Sequence, residues 1–133
     1  MKVPAIIFSR MGSSRLPGKA LRYIAGEPLI KRVIDRVSQA KRLSTVVVAT
    51  SNSKIDDRLV EYIQSINIEV FRGAAHDVLD RAVSCASYLG ADKFVRVNGD
   101  SPFIDPEILE KGLESDIRNI KKPNIKIFCT NKV

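Results

Sequence analysis

Near the N-terminus, the stretch Ser9-Arg10-Met11-Gly12-Ser13-Ser14-Arg15-Leu16-Pro17-Gly18-Lys19 gathers the cations Arg10, Arg15 and Lys19, the hydroxyls of Ser13 and Ser14, and two turn-permitting glycines. Backbone N–H groups turned inward by glycine, guanidinium forks and an ammonium point charge together suit the oxygens of a polyphosphate. The spacing is not that of a P-loop, because Gly12 and Gly18 stand one residue too far apart and Ala20 follows Lys19 where that motif has a magnesium-binding hydroxyl. Nor is it G-x-G-x-x-G, since Gly12 has no glycine two positions on. The competing reading is a Gly/Pro/Ser surface loop with incidental charges; convergent charge on a loop favours function.

A second chemical position is Asp100, in Asn98-Gly99-Asp100-Ser101-Pro102. Gly99 permits a bend there, and a carboxylate is the hard oxygen ligand that suits Mg²⁺ held mostly by a triphosphate and water. Its alternative role is that of a turn former ahead of Pro102. Asp105, before Pro106, reads as a helix cap. Arg72 is, from the residues alone, a charge after a strand, and Asp80 and Arg81 read as exposed helix charges. His76, the one histidine, reads as a surface or capping residue. Cys85 reads as a small core residue. With Cys129 and His76 it matches neither a disulfide framework nor a zinc site, so any metal chemistry must rest on carboxylates.

The elements that must position these groups follow from periodicity. Short apolar runs at 3–8, 44–50, 68–71, 93–97 and 125–128 predict buried strands. Leu29, Ile30, Val33, Ile34 and Val37 recur at helical spacing, with Pro28 suited to a first helical position. Ser53 and Asp56 resemble a capping box for a helix carrying Ile55, Leu59, Tyr62, Ile63 and Ile66 on its apolar face. Further helices are predicted over 78–89 and from Asp105-Pro106 onward. This alternation predicts an α/β, doubly wound, mostly parallel sheet. In such sheets ligands sit beyond the carboxyl ends of strands where strand order reverses, which directs attention to the loops 9–19 and 98–104.

The 133 residues suit a single domain, 1–133. The chain carries a net charge of +7. Its basic excess lies in residues 1–42 and 117–133, while 43–116 is acidic, so an anionic partner near the N-terminal segment is expected. Apolar runs such as 5–8 and 46–49 are too short to span a bilayer, and no signal-peptide pattern is present, so no membrane partner and a cytoplasmic location are expected. An RNA-binding role has only the basic balance in its favour; at 6% aromatic residues the chain lacks the stacking platform that single strands need.

From Arg10 to Lys19 the chain keeps every fixed position of Arg-Met-Gly-Ser-x-Arg-Leu-Pro-Gly-Lys, and so resembles the sugar-acid cytidylyltransferases, the CMP-KDO and CMP-sialic acid synthetases, and most closely the spore-coat polysaccharide biosynthesis protein F type. Residues 70–81 and 95–106 support the likeness, which runs from about residue 3 to 109. It implies a Rossmann-like nucleotidyltransferase (nucleotide-diphospho-sugar transferase) fold. The implied activity is transfer of CMP from CTP to a sugar or sugar acid with release of pyrophosphate, in cell-surface or spore-coat polysaccharide biosynthesis. Arg10, Gly12, Ser13, Ser14, Arg15 and Lys19 would bind the triphosphate, with Arg10 and Lys19 stabilising the leaving charge. Asp100 would anchor Mg²⁺, and Arg72 and Asp77 would lie near the base and ribose. The same likeness implies a sugar-binding and dimer-forming segment, with a homodimer, beyond the point where this chain stops. The alternative is a non-catalytic nucleotide-binding module working with a partner chain.

Overall fold

The computed structural model describes residues 3–12, 16–114 and 125–129. Five strands form one sheet: β1 (Val3–Phe8), β4 (Leu43–Ser51), β5 (Glu69–Gly73), β6 (Lys93–Asn98) and β7 (Ile125–Cys129), in the spatial order β5-β4-β1-β6-β7. The pairs β1/β4, β4/β5 and β1/β6 are parallel, and β7 runs antiparallel to β6. The predicted doubly wound, mostly parallel sheet is therefore present, with all five predicted strands. Two-residue strands β2 (Tyr23–Ile24) and β3 (Glu27–Pro28) form a small hairpin that the apolar pattern does not announce, because both are too short to show alternation.

Helices α1 (Leu29–Val37), α2 (Asp57–Ser65), α3 (Val78–Leu89) and α4 (Pro106–Glu114) pack on the sheet. On one face Leu29, Ile30, Val33 and Val37 of α1, Leu59 and Ile63 of α2 and Leu109 of α4 meet Ile7, Val48, Val95 and Val97. On the other, Ala82, Cys85 and Ala86 of α3 meet Ile6, Phe8, Val47 and Ala49. The period of two along β1 divides its side chains between these two cores, and each fully buried Ile or Val contributes about 1.5–3 kcal/mol. α3 opens on Asp77, whose carboxylate accepts a hydrogen bond from the Asp80 amide at 2.9 Å, and closes at Gly90 with φ 66°. Asp105 accepts from the Glu107 amide at 2.9 Å, which bears out its reading as a cap for α4.

The start of α2 departs from expectation. Lys54–Asp56 form a 3₁₀ turn ahead of the helix, and the Ser53 side chain makes no capping bond. The tighter period of that turn swings Ile55 outward, 56% exposed, and Asp56 inward, 1% exposed. The capping-box reading is thereby corrected, and Asp56 is freed for a different task.

Candidate functional site

Register brings the ends of the central strands level: Phe8 of β1 lies opposite Ala49 of β4 and Asn98 of β6. From β1 the chain first builds outward through β4 and β5, then returns to the opposite side at β6, so strand order reverses between β1 and β6. The loops leaving Phe8 and Asn98 part there, and a cleft of about 350 Å³ opens between them. Arg10, Leu16 and Lys19 line it from the first loop, and Asn98, Gly99 and Asp100 from the second.

Glycine is required at position 99 by close approach rather than by a bend. The Gly99 amide donates to the Phe8 carbonyl at 2.9 Å, and a Cβ there would stand 2.7 Å from that oxygen and 2.8 Å from the Ser9 Cβ. The end of β6 can then seat directly against the end of β1, projecting Asp100 at the cleft. Lys19 Nζ lies 3.8 Å from Asp100 Oδ2, with the two side chains 42% and 62% exposed. An ion pair that open is worth at most about 1 kcal/mol, so both groups remain available to a ligand.

The neck of the first loop is closed by the Gly18 amide donating to the Met11 carbonyl at 2.9 Å. Gly18 has φ 75°, a conformation that L side chains rarely adopt, whereas Gly12 faces open space with no such demand. From the far side the buried Asp56 carboxylate accepts the Met11 amide at 2.7 Å and also accepts the Ser51 hydroxyl. Arg10 leaves the neck and donates to the Ala75 carbonyl in the β5–α3 connection.

Arg10, Lys19 and Asp100, three of the residues the sequence nominates, thus share one cleft, with Gly12 on the same loop. Ser13, Ser14 and Arg15 lie outside the described residues. Arg72 and Asp77 are engaged elsewhere. Arg72 donates to the Ser51 carbonyl at 2.9 Å, to the Ser53 carbonyl at 2.8 Å and to the Asp57 carboxylate at 2.8 Å, which ties β5 to the β4–α2 connection. Asp77 caps α3. His76 is exposed, and burial pushes the Cys85 thiol up to about 12, both in keeping with their assigned places.

Arg81 is the largest departure, only 2% exposed instead of on the surface. It donates to the Ala74 carbonyl at 2.9 Å, and its guanidinium lies 5.7 Å from the centre of the Phe8 ring, which Arg96 approaches at 5.2 Å. Burial, then repulsion from Arg10, lowers its pKa, while the Asp56 charge opposes the fall. Helical spacing held the clue, since Arg81 falls four residues before Cys85, on the stripe that continues to Leu89.

A metal would find one exposed carboxylate here, Asp100; no cluster of three or more His, Cys, Asp or Glu side chains exists among the described residues. That donor set fits Mg²⁺, which keeps most of its coordination for water and phosphate oxygens, and it does not fit a fully protein-caged ion. No helix among the described residues is long and apolar enough to cross a membrane.

Residues 4–127 match the family model described as cytidylyltransferase. The chain is 39% identical over 109 residues to the spore coat polysaccharide biosynthesis protein SpsF of Bacillus subtilis, covering 79% of this chain and 45% of that protein. Its fold superposes with a TM-score of 0.88 and 31% identity on a cytidylyltransferase from Leptospira borgpetersenii, covering 98% of this chain and 61% of that one. A CMP:2-keto-3-deoxy-manno-octonic acid synthetase solved with CTP superposes with a TM-score of 0.76 and 30% identity, over 90% of this chain and 48% of that one. The chain spans about half the length of the curated relatives it matches.

Proposed function

The chain belongs to the cytidylyltransferase family, and from that premise we propose that its cleft binds CTP with Mg²⁺ and serves transfer of CMP to a sugar or sugar acid. The observation that carries this reading is the convergence of Arg10 and Lys19 with Asp100 across the β1/β6 switch point. Two cations on one wall match a triphosphate. A lone exposed carboxylate on the other matches a hard cation shared with it.

In the proposed reaction an acceptor hydroxyl oxygen bonds to the α-phosphorus of CTP. The bond from that phosphorus to the bridging oxygen breaks, pyrophosphate leaves with the bonding electron pair, and the hydroxyl proton passes to water. The work of the chain is positioning and charge neutralisation. Lys19 would leave its weak pair with Asp100 to meet phosphate oxygens, and Arg10, steadied by the Ala75 carbonyl, would present its remaining donors. Ser13, Ser14 and Arg15 would add hydrogen bonds and charge from the same loop, and Gly12 would leave the backbone open to the ligand. Asp100 would hold Mg²⁺, which supplies charge neutralisation on the triphosphate when bound. Arg72 and Asp77 would serve the base and ribose side of the site by fixing the β4–α2 and β5–α3 connections. The wider setting proposed is a cytoplasmic homodimer acting in cell-surface or spore-coat polysaccharide synthesis; the likeness to SpsF supports the polysaccharide part of that setting.

Calorimetric titration with CTP, UTP, ATP and GTP, with and without Mg²⁺, tests the reading. CTP-selective, magnesium-dependent binding is expected. Lys19→Ala should weaken it by about tenfold or more, the loss of one charge-assisted contact. Asp100→Ala should abolish the magnesium dependence. Binding that ignores both substitutions would overturn the assignment.

A further inference from the structure

We infer that Asp56 is the positioning residue of the phosphate loop, setting the distance between Arg10 and Lys19 without touching the nucleotide; this rests on the proposed CTP-binding role of that loop. Asp56 is 1% exposed, and a buried carboxylate is costly unless its oxygens are bonded. One oxygen receives the Met11 amide at 2.7 Å and the other receives the Ser51 hydroxyl. Met11 is thereby held on both sides of its own Cα, since its carbonyl accepts the Gly18 amide at 2.9 Å.

That double hold is the neck of the loop. Arg10 precedes Met11 and Lys19 follows Gly18, so the two cations of the cleft emerge from the clamped pair of residues. Fixing the neck fixes where both cations start. Binding then costs less ordering of the loop, which is how preorganisation raises affinity. Ser51 anchors the anchor in turn: its hydroxyl accepts the Ser53 amide at 3.2 Å and its carbonyl accepts Arg72 at 2.9 Å. A negative charge behind an anion site would, by Coulomb's law alone, weaken anion binding. The advantage of Asp56 to the loop therefore lies in its hydrogen bonds, and its charge acts instead on the buried Arg81; an uncharged residue of the same shape separates the two and should still hold the neck. Asparagine can accept from Met11 through Oδ1 and donate to the Ser51 hydroxyl oxygen through Nδ2.

The test compares wild type, Asp56→Ala, Asp56→Asn and Ser51→Ala of this chain by CTP titration with Mg²⁺ and by amide hydrogen exchange. Asp56→Ala should raise the Kd for CTP at least tenfold and speed exchange of the Met11 amide, while amides of β4 stay protected. Asp56→Asn should stay within threefold of wild type on both readouts. Should Asp56→Ala fail to fold, Ser51→Ala carries the test, with a several-fold rise in Kd and faster Met11 exchange expected. An unchanged Kd in the folded variants, or exchange accelerated equally throughout β1 and β4, would overturn the inference. So would an Asp56→Asn variant as weak as Asp56→Ala. If wild type binds no CTP, the functional reading fails, and Met11 exchange in the alanine and asparagine variants still decides whether Asp56 fixes the neck.

Discussion

Gly99 and Cys85 show how much a single position is asked to do. Because a Cβ at residue 99 would sit 2.7 Å from the Phe8 carbonyl oxygen, a backbone atom that cannot swing aside, Gly99→Ala must part the ends of β1 and β6. We expect a stability loss of about 1–3 kcal/mol in denaturant titration, the usual cost of overpacking, together with weakened magnesium-dependent binding as Asp100 is displaced. Cys85 is fully buried, with its thiol pushed up to about 12 by desolvation. The raised pKa keeps it protonated throughout the neutral and mildly alkaline range, so in a Cys129→Ser background a thiol reagent should label Cys85 only under unfolding conditions. Labelling of the native protein at pH 8 at the rate of a free thiol would contradict this.

Elements here act through their ends. The apolar stripe of α3 seats it on the sheet, but its first turn is held by Asp77, and its Arg81 secures the loop before it through the Ala74 carbonyl. Arg10 donates to the adjacent Ala75 carbonyl, so a loosened α3 start should be felt in the cleft. Asp77→Ala removes the cap and should cost about 1 kcal/mol of stability, read as a lowered denaturant midpoint with an unchanged slope. The spans of the strands and of α3 match the apolar pattern because burial, length and period agree along each of them, while the place of Arg81 within α3 does not. The capping box failed because the 3₁₀ turn of Lys54–Asp56 has a different period from the helix that follows, which turned Asp56 into the core and Ile55 out of it. Spacing alone cannot separate a Ser-x-x-Asp that caps from one that reaches across the sheet to residue 11.

At the scale of the whole molecule, a net charge of +7 and a cleft walled by Arg10 and Lys19 favour a polyanion over a long range. Raising salt from about 0.05 to 0.5 M shortens the Debye length from about 14 to 4 Å, and should weaken CTP binding severalfold in calorimetry; salt-independent affinity would contradict this electrostatic account. The placing of Arg10, Lys19 and Asp100 on the loops that line the cleft, the strand–helix alternation and the family were legible in the sequence, since each rests on local composition or spacing. Tertiary structure alone decided that Lys19 and Asp100 stand 3.8 Å apart, that Arg81 is buried beside Phe8, and that Arg72 and Asp77 bind protein groups. It also decided that Asp56 holds Met11. Period and composition report which face of an element is apolar. They are silent on which buried polar groups from distant elements will find each other, because every buried donor and acceptor must be satisfied and the partner is chosen only when the sheet assembles.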